Sequence, residues 1–316
     1  MNKGFTIALI SIFIIVGIMI NDMLHEQFLL KNKTDATTLL SKSLDMGATE
    51  LNVKDMELME QYYTEYVGLE ILAKTGETVI LGHKDRQIII LNASQEPKSV
   101  LGSAGLYHNA IVYASRGQLA RTVKKILNET PQYYLGTADH LVSEAFYFTD
   151  PEGNGLELYF DKDKSTWEWQ EGKIKMDSIY IDPIAYIEKY SSEYESTDKH
   201  MGHVHLKVGN IENAKKFYVD ILGFDITAEM DSALFVSVAG YHHHVGMNTW
   251  ESKNAGKRVP SLGLKSITLI LNSKADVALL KERLKRNTII FDEDIHEILF
   301  LDPWNNQIKV KTQELL

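Results

Sequence analysis

Residues 138–160 read ADHLVSEAFYFTDPEGNGLELYF and place an imidazole, a phenol and a carboxylate, at His140, Tyr147 and Glu157, around a DPEGNG turn. Such groups could form an active site, or they could be ordinary members of a hairpin. The chain has no cysteine, which excludes thiolate metal sites, catalytic thiols and disulfides. Any metal must therefore be held by histidine and carboxylate. The formal charge is −10 and no basic stripe is present. Nucleic acid is thus excluded as a partner, because phosphate binding needs clustered lysine and arginine.

The elements that must position these residues come in repeats. MGATELNVKDMELMEQYYTEYVGLEI, 46–71, aligns without a gap with MGHVHLKVGNIENAKKFYVDILGFDI, 201–226. Long self-similarity of this kind points to a duplicated unit. Each copy opens with an alternating stretch, Gly47 to Val53 or Gly202 to Val208, the period of a half-buried strand. Apolar residues at helical spacing follow, ending at a glycine that suits a helix stop. A second strand–helix–strands pass completes each half, so the chain reads as four βαβββ units in two pairs. The expected fold class is α+β. It comprises two domains of paired βαβββ units, 45–164 and 199–316, joined by a polar linker at 165–198.

The amino terminus is different. FTIALISIFIIVGIMI, 5–20, is uncharged and apolar, and as a helix it would reach roughly 24–26 Å, the short end of a membrane span. With Lys3 on its inner side it predicts a membrane-anchored chain whose body lies outside the cytoplasm. The alternative is a cytoplasmic body. Residues 1–22 are thus assigned to an anchor or signal segment, and 23–44 to a polar stalk.

Three stretches carry a resemblance: LYHNAIVY, DHLVSEAFYFTDPEGNGLELY and GHVHLKVGNIENAKKFYVDILGF. Together they resemble the vicinal oxygen chelate superfamily of glyoxalases, bleomycin-resistance proteins and extradiol dioxygenases. The likeness covers about residues 45–313 and is closest in type to two-domain catechol 2,3-dioxygenases. The extradiol signature is matched by His140, Phe146-Tyr147, Asp150-Pro151, Gly153 and Glu157. It implies a divalent metal, Fe(II) or Mn(II), held by two histidines and a carboxylate. It also implies a small aromatic or other bidentate substrate, and homodimer formation as in other members.

By that resemblance His108 and Glu157 are metal ligands. His140 and Tyr147 orient substrate and move a proton. The third ligand is expected at the start of the first unit, where the family's Gly-His reads Gly47-Ala48. Glu50 shares a strand face with Ala48 and is one substitute. In the second half His203 keeps the family histidine, with His205 on the same face, but Ser266 and Lys309 stand where His108 and Glu157 stand in the first. His242 and His244, in GYHHHVGMN, offer another ligand beside His203. Two functions follow as expectations: a catechol-2,3-dioxygenase-like enzyme with an incomplete metal triad, or a non-catalytic small-molecule-binding protein of the bleomycin-resistance type. A third is an adaptor presenting its paired domains to another envelope protein.

Overall fold

The computed structural model describes residues 40–315 apart from 42, 194 and 195. The expected anchor at 5–20 lies outside the described residues. Among those described, no helix is long and apolar enough to cross a membrane. The end of the expected stalk is packed on the body. Leu40 is 2% exposed and its N–H donates to the Gly223 carbonyl.

After a short strand β1 (Leu44–Met46), four similar units follow. The first is β2 (Thr49–Val53), α1 (Met56–Gln61, running on into a π turn at Tyr62–Tyr66), β3 (Glu70–Lys74), β4 (Thr78–His83) and β5 (Arg86–Ala93). The second is β6 (Gly105–Tyr113), α2 (Arg116–Glu129), β7 (Tyr134–Asp139), β8 (Ser143–Thr149) and β9 (Gly155–Asp161). A connecting segment carries the hairpin β10 (Trp169–Gln170) and β11 (Lys173–Ile174) and the helix α3 (Pro183–Tyr190). The third unit is β12 (Lys199–Lys207), α4 (Ile211–Lys215, with a π turn at Lys216–Ile221), β13 (Asp225–Met230), β14 (Ala233–Ser237) and β15 (Val245–Asn248). The fourth is β16 (Gly263–Leu271), α5 (Lys274–Arg286), β17 (Phe291–Glu293), β18 (Ile298–Leu301) and β19 (Gln307–Thr312). Each unit helix starts at a residue whose side chain accepts a first-turn N–H: Asp55, Ser115, Asn210 and Ser273. Those caps satisfy N–H groups that have no partner within the helix.

The α+β reading and the repeat are as expected, but the pairing of units is not. One sheet runs β13-β14-β15-β12-β6-β9-β8-β7, joining the third unit to the second. The other runs β17-β18-β19-β16-β2-β5-β4-β3, with β1 added to β16, joining the fourth unit to the first. Residues 45–164 and 199–316 are therefore not each the source of one sheet. The units meet through their first strands, antiparallel: β6 with β12, and β2 with β16. All four units carry a similar first strand, so periodicity alone does not say which meets which. A continuous cluster of buried apolar side chains spans both sheets.

Candidate metal centre

β6 is flanked by β12 on one side and β9 on the other. The register sets His203 opposite Ala110 across the first pairing, and Glu157 opposite Ala110 across the second. Strands lie about 4.8 Å apart, so these two side chains lean together over a methyl group. His108, two residues before Ala110, projects from the same face. The outcome is a group of three ligand atoms, all within 4.8 Å of one another.

Local chemistry fixes each strand. Gly202, in the Met-Gly pair of the repeat, sits at a bulge between Met201 and His203, and a Cβ there would lie 1.8 Å from the Tyr159 hydroxyl. The bulge re-aims His203 inward. The DPEGNG turn is built on Asp150, whose Oδ1 accepts the N–H groups of Glu152 and Asn154. Gly153 has φ +90. Gly155 lets β9 approach β6, since a Cβ would lie 2.0 Å from the Tyr107 carbonyl. Glu157 follows in a fixed register.

The donor set fits a divalent cation. His108 Nε2 lies 2.9 Å from Glu157 Oε2, yet this buried nitrogen has no hydrogen-bond partner. His203 Nε2 lies 3.2 Å from the same oxygen. Burial opposes charge on Glu157, but His203 and His108 outweigh it and hold the carboxyl well below its ordinary range. Burial also lowers His203 to about 4. At neutral pH the site thus offers a carboxylate and a neutral His203, a set that suits Fe(II), Mn(II) or Zn(II) and leaves coordination positions open.

The other expected residues fall into three groups. Tyr147 is the direct cross-strand neighbour of Glu157. His140 Nδ1 lies 2.7 Å from the Asp177 carbonyl, and its Nε2 lies 2.6 Å from the Tyr147 hydroxyl. A carbonyl only accepts, so Nδ1 carries the proton and Tyr147 donates to Nε2. Burial, then the Glu157 charge, push the Tyr147 hydroxyl well above its ordinary value. His205 is opposite His108 and receives an amide N–H from Asn248 at 3.0 Å. His244 is turned away, with Nδ1 bound to Ser237 Oγ at 2.8 Å. Its neighbour His243, which sequence reasoning missed, lines the cavity and stacks on His203 with ring centroids 4.0 Å apart.

Glu50 belongs to the other sheet. It pairs with Ser266 as His205 pairs with His108. Burial would raise its pKa, but Lys309 and Lys265 hold it below the ordinary value. The Lys309 ammonium bonds to Oε1 and Lys265 lies 3.2 Å from Oε2. A built-in cation thus occupies the place where the first cup has room for a metal. Glu50 is not part of the His108 group.

A cavity of about 1560 Å³ opens above His108 and Glu157. Its wall beside His108 is aromatic, with Tyr107 and Trp250 packed edge to face at 5.3 Å.

The model of the Glyoxalase/Bleomycin resistance protein/Dioxygenase superfamily matches residues 45–158 and 200–310. The chain belongs to that superfamily. A catechol-2,3-dioxygenase of Bacillus subtilis (strain 168) is 32% identical over 277 residues, covering 84% of this chain and 96% of that protein. Among solved structures, one from Bacillus subtilis superposes with TM-score 0.60 at 13% identity, over 86% of each chain. Glyoxalase I from Zea mays gives TM-score 0.53 at 15% identity, over 85% of this chain and 92% of that one. Likenesses at such identities speak to the fold alone. The two matched stretches hold the four βαβββ units, and His140, Tyr147 and Glu157 all lie within the second.

Proposed function

We propose that this superfamily member is an extradiol ring-cleaving dioxygenase of the catechol-2,3-dioxygenase type. It would hold Fe(II) or Mn(II) through His108, Glu157 and His203. The observation that carries this reading is the convergence of those three side chains from three adjacent strands, with His108 Nε2 buried and unpartnered beside Glu157. The relative that is 32% identical over nearly its whole length supports the same reaction class.

His108, Glu157 and His203 would hold the metal, which would supply a Lewis-acidic, redox-active centre for a vicinal diol and dioxygen. Both atoms of one dioxygen enter the ring-opened product, so no further oxidant or reductant is required. The chain's own residues do the rest. Tyr107 and Trp250 give a planar ring a wall to lie against. Tyr147 and His140 form a pair fixed from behind by the Asp177 carbonyl, so the phenol can hydrogen-bond a substrate oxygen and move a proton. His243, held neutral by burial, stacks on His203 and lines the cavity as a second proton acceptor.

The test is metal analysis of anaerobically purified, untagged protein, followed by oxygen uptake with catechol. About one iron or manganese per chain, with one dioxygen consumed per catechol lost, is the expected result. Protein that takes up no metal under any loading condition would overturn it. Metal with tight catechol binding but no uptake would favour the binding-protein reading, to which the cavity's size beyond a single ring lends some weight.

For location, the sequence of residues 5–20 supports a membrane tether with the body outside the cytoplasm. The full chain should then sediment with membranes and resist extraction by salt. Release by salt would overturn the tether.

A further inference from the structure

Behind the candidate metal centre lies a line of hydrogen bonds that the reading above does not use. β9 projects Glu157, Tyr159 and Asp161 from one face, two residues apart. Asp161 Oδ1 lies 2.9 Å from His242 Nε2. His242 Nδ1 lies 2.8 Å from His243 Nδ1. On its other oxygen Asp161 accepts from the Tyr241 hydroxyl at 2.8 Å, and Tyr241 in turn lies 2.7 Å from the Tyr159 hydroxyl. His242 is wholly buried, whereas the Asp161 side chain is 24% exposed.

Proton positions along this line follow from two premises, a carboxylate that only accepts and imidazoles that are neutral. A carboxylate only accepts, so His242 must present Nε2–H to Asp161. In a neutral His242 that leaves Nδ1 as an acceptor, and among the described residues the donor facing it is His243 Nδ1. His243 then carries its proton on Nδ1, and Nε2 keeps its lone pair for a molecule in the cavity. We propose that Asp161, acting through His242, is a positioning residue that sets the tautomer of His243 and so makes it a proton acceptor toward the cavity. Only the catalytic consequence rests on the dioxygenase reading; the tautomer does not.

The isosteric change Asp161→Asn reverses the logic. In wild type Tyr241 gives its one proton to Asp161 and so accepts from Tyr159, an order that keeps every hydroxyl bonded in the variant too. The amide oxygen therefore faces Tyr241, and the NH2 faces His242 Nε2. His242 then carries its proton on Nδ1, His243 accepts there, and His243 Nε2–H points at the cavity as a donor.

The experiment is long-range 1H–15N correlation on full-length, metal-free protein labelled in histidine. His243 is assigned by loss of its signals in His243→Gln. Wild type should show His243 protonated at Nδ1 and His242 at Nε2, and Asp161→Asn should exchange both. Oxygen uptake with catechol should fall by about 100-fold in kcat, the lower range for acid–base groups, with KM and metal content unchanged. A wild-type His243 protonated at Nε2, or doubly protonated, overturns the proposal. So does a His243 tautomer unmoved by Asp161→Asn. If that variant fails to fold, the wild-type spectrum decides alone. The expected tautomers without any uptake by wild type would sink the dioxygenase reading and leave the positioning role standing.

Discussion

Among the candidates for a third ligand, His203 is the one that stands beside His108 and Glu157. It contributes a buried imidazole whose Nε2 reaches Glu157 Oε2, whereas Glu50 is neutralised by two ammonium groups in another sheet. His203→Ala should lower bound metal at least tenfold, while Glu50→Gln and His244→Gln should leave it unchanged by elemental analysis. Equal metal in all three would refute the assignment. Tyr147 is a separate case, because it faces Glu157 but its hydroxyl is engaged by His140. Tyr147→Phe should keep the metal and lose about 100-fold in kcat, the lower range for acid–base groups. A full-rate phenylalanine variant would show that the phenol only packs.

At the scale of the element, β6 matters as much for its small residue as for its histidine. Ala110 leaves open the space between His203 and Glu157. Ala110→Leu should fill that space and abolish metal binding, with circular dichroism and ligand-free melting showing a folded protein. Retained stoichiometric binding would show that the cation sits elsewhere. Two glycines act through the same geometry. Both Gly202 and Gly155 lie where a Cβ would collide, with Tyr159 and with the Tyr107 backbone. Overpacking of this kind costs about 1–3 kcal/mol, and in Gly155→Ala the rigid backbone neighbour places the cost at the upper end of that range. An unchanged urea midpoint in that variant would contradict the close approach.

For the whole molecule, the two sheets are related cups of which one retains a ligand set. In the other, Ala48, Ser266 and Lys309 stand at the positions of His203, His108 and Glu157. One metal per chain is therefore expected, and the triple variant Ala48→His, Ser266→His, Lys309→Glu should take up a second. The cups also govern response to acid. Burial holds His203 at about 4 and His244 at about 3, and holds His205 and His243 well below the ordinary value. The unfolded chain binds those protons from about pH 6.5 downward. Their contribution is thus complete above that pH and is lost as pH falls toward 4, by up to about 1.4 kcal/mol per unit for each group. Asp150, pushed up to about 6 by burial, works in the opposite sense but is a single group. Metal-free protein should be several kcal/mol less stable to urea at pH 5 than at pH 7.5. Equal midpoints would show that these histidines are not buried neutral.

The order of residues alone determined the four repeated units, because strand and helix periods and the Met-Gly openings are local. It also drew attention to His108, Glu157, His140 and Tyr147, which sit within one unit whose turn residues, Asp150, Gly153 and Gly155, fix their spacing. It pointed to His203 but offered it the wrong partners, His205 with His242 or His244, where the structure gathers His108 and Glu157. The partners lie in a different unit, 46 residues back at Glu157 and beyond that at His108. Whether the first strand of the third unit would meet the second unit or the fourth is a long-range choice between similar edges. Tertiary structure made that choice by pairing β6 with β12. It thereby completed one triad, closed the other cup on an ammonium–carboxylate pair, and turned His243 rather than His244 toward the cavity.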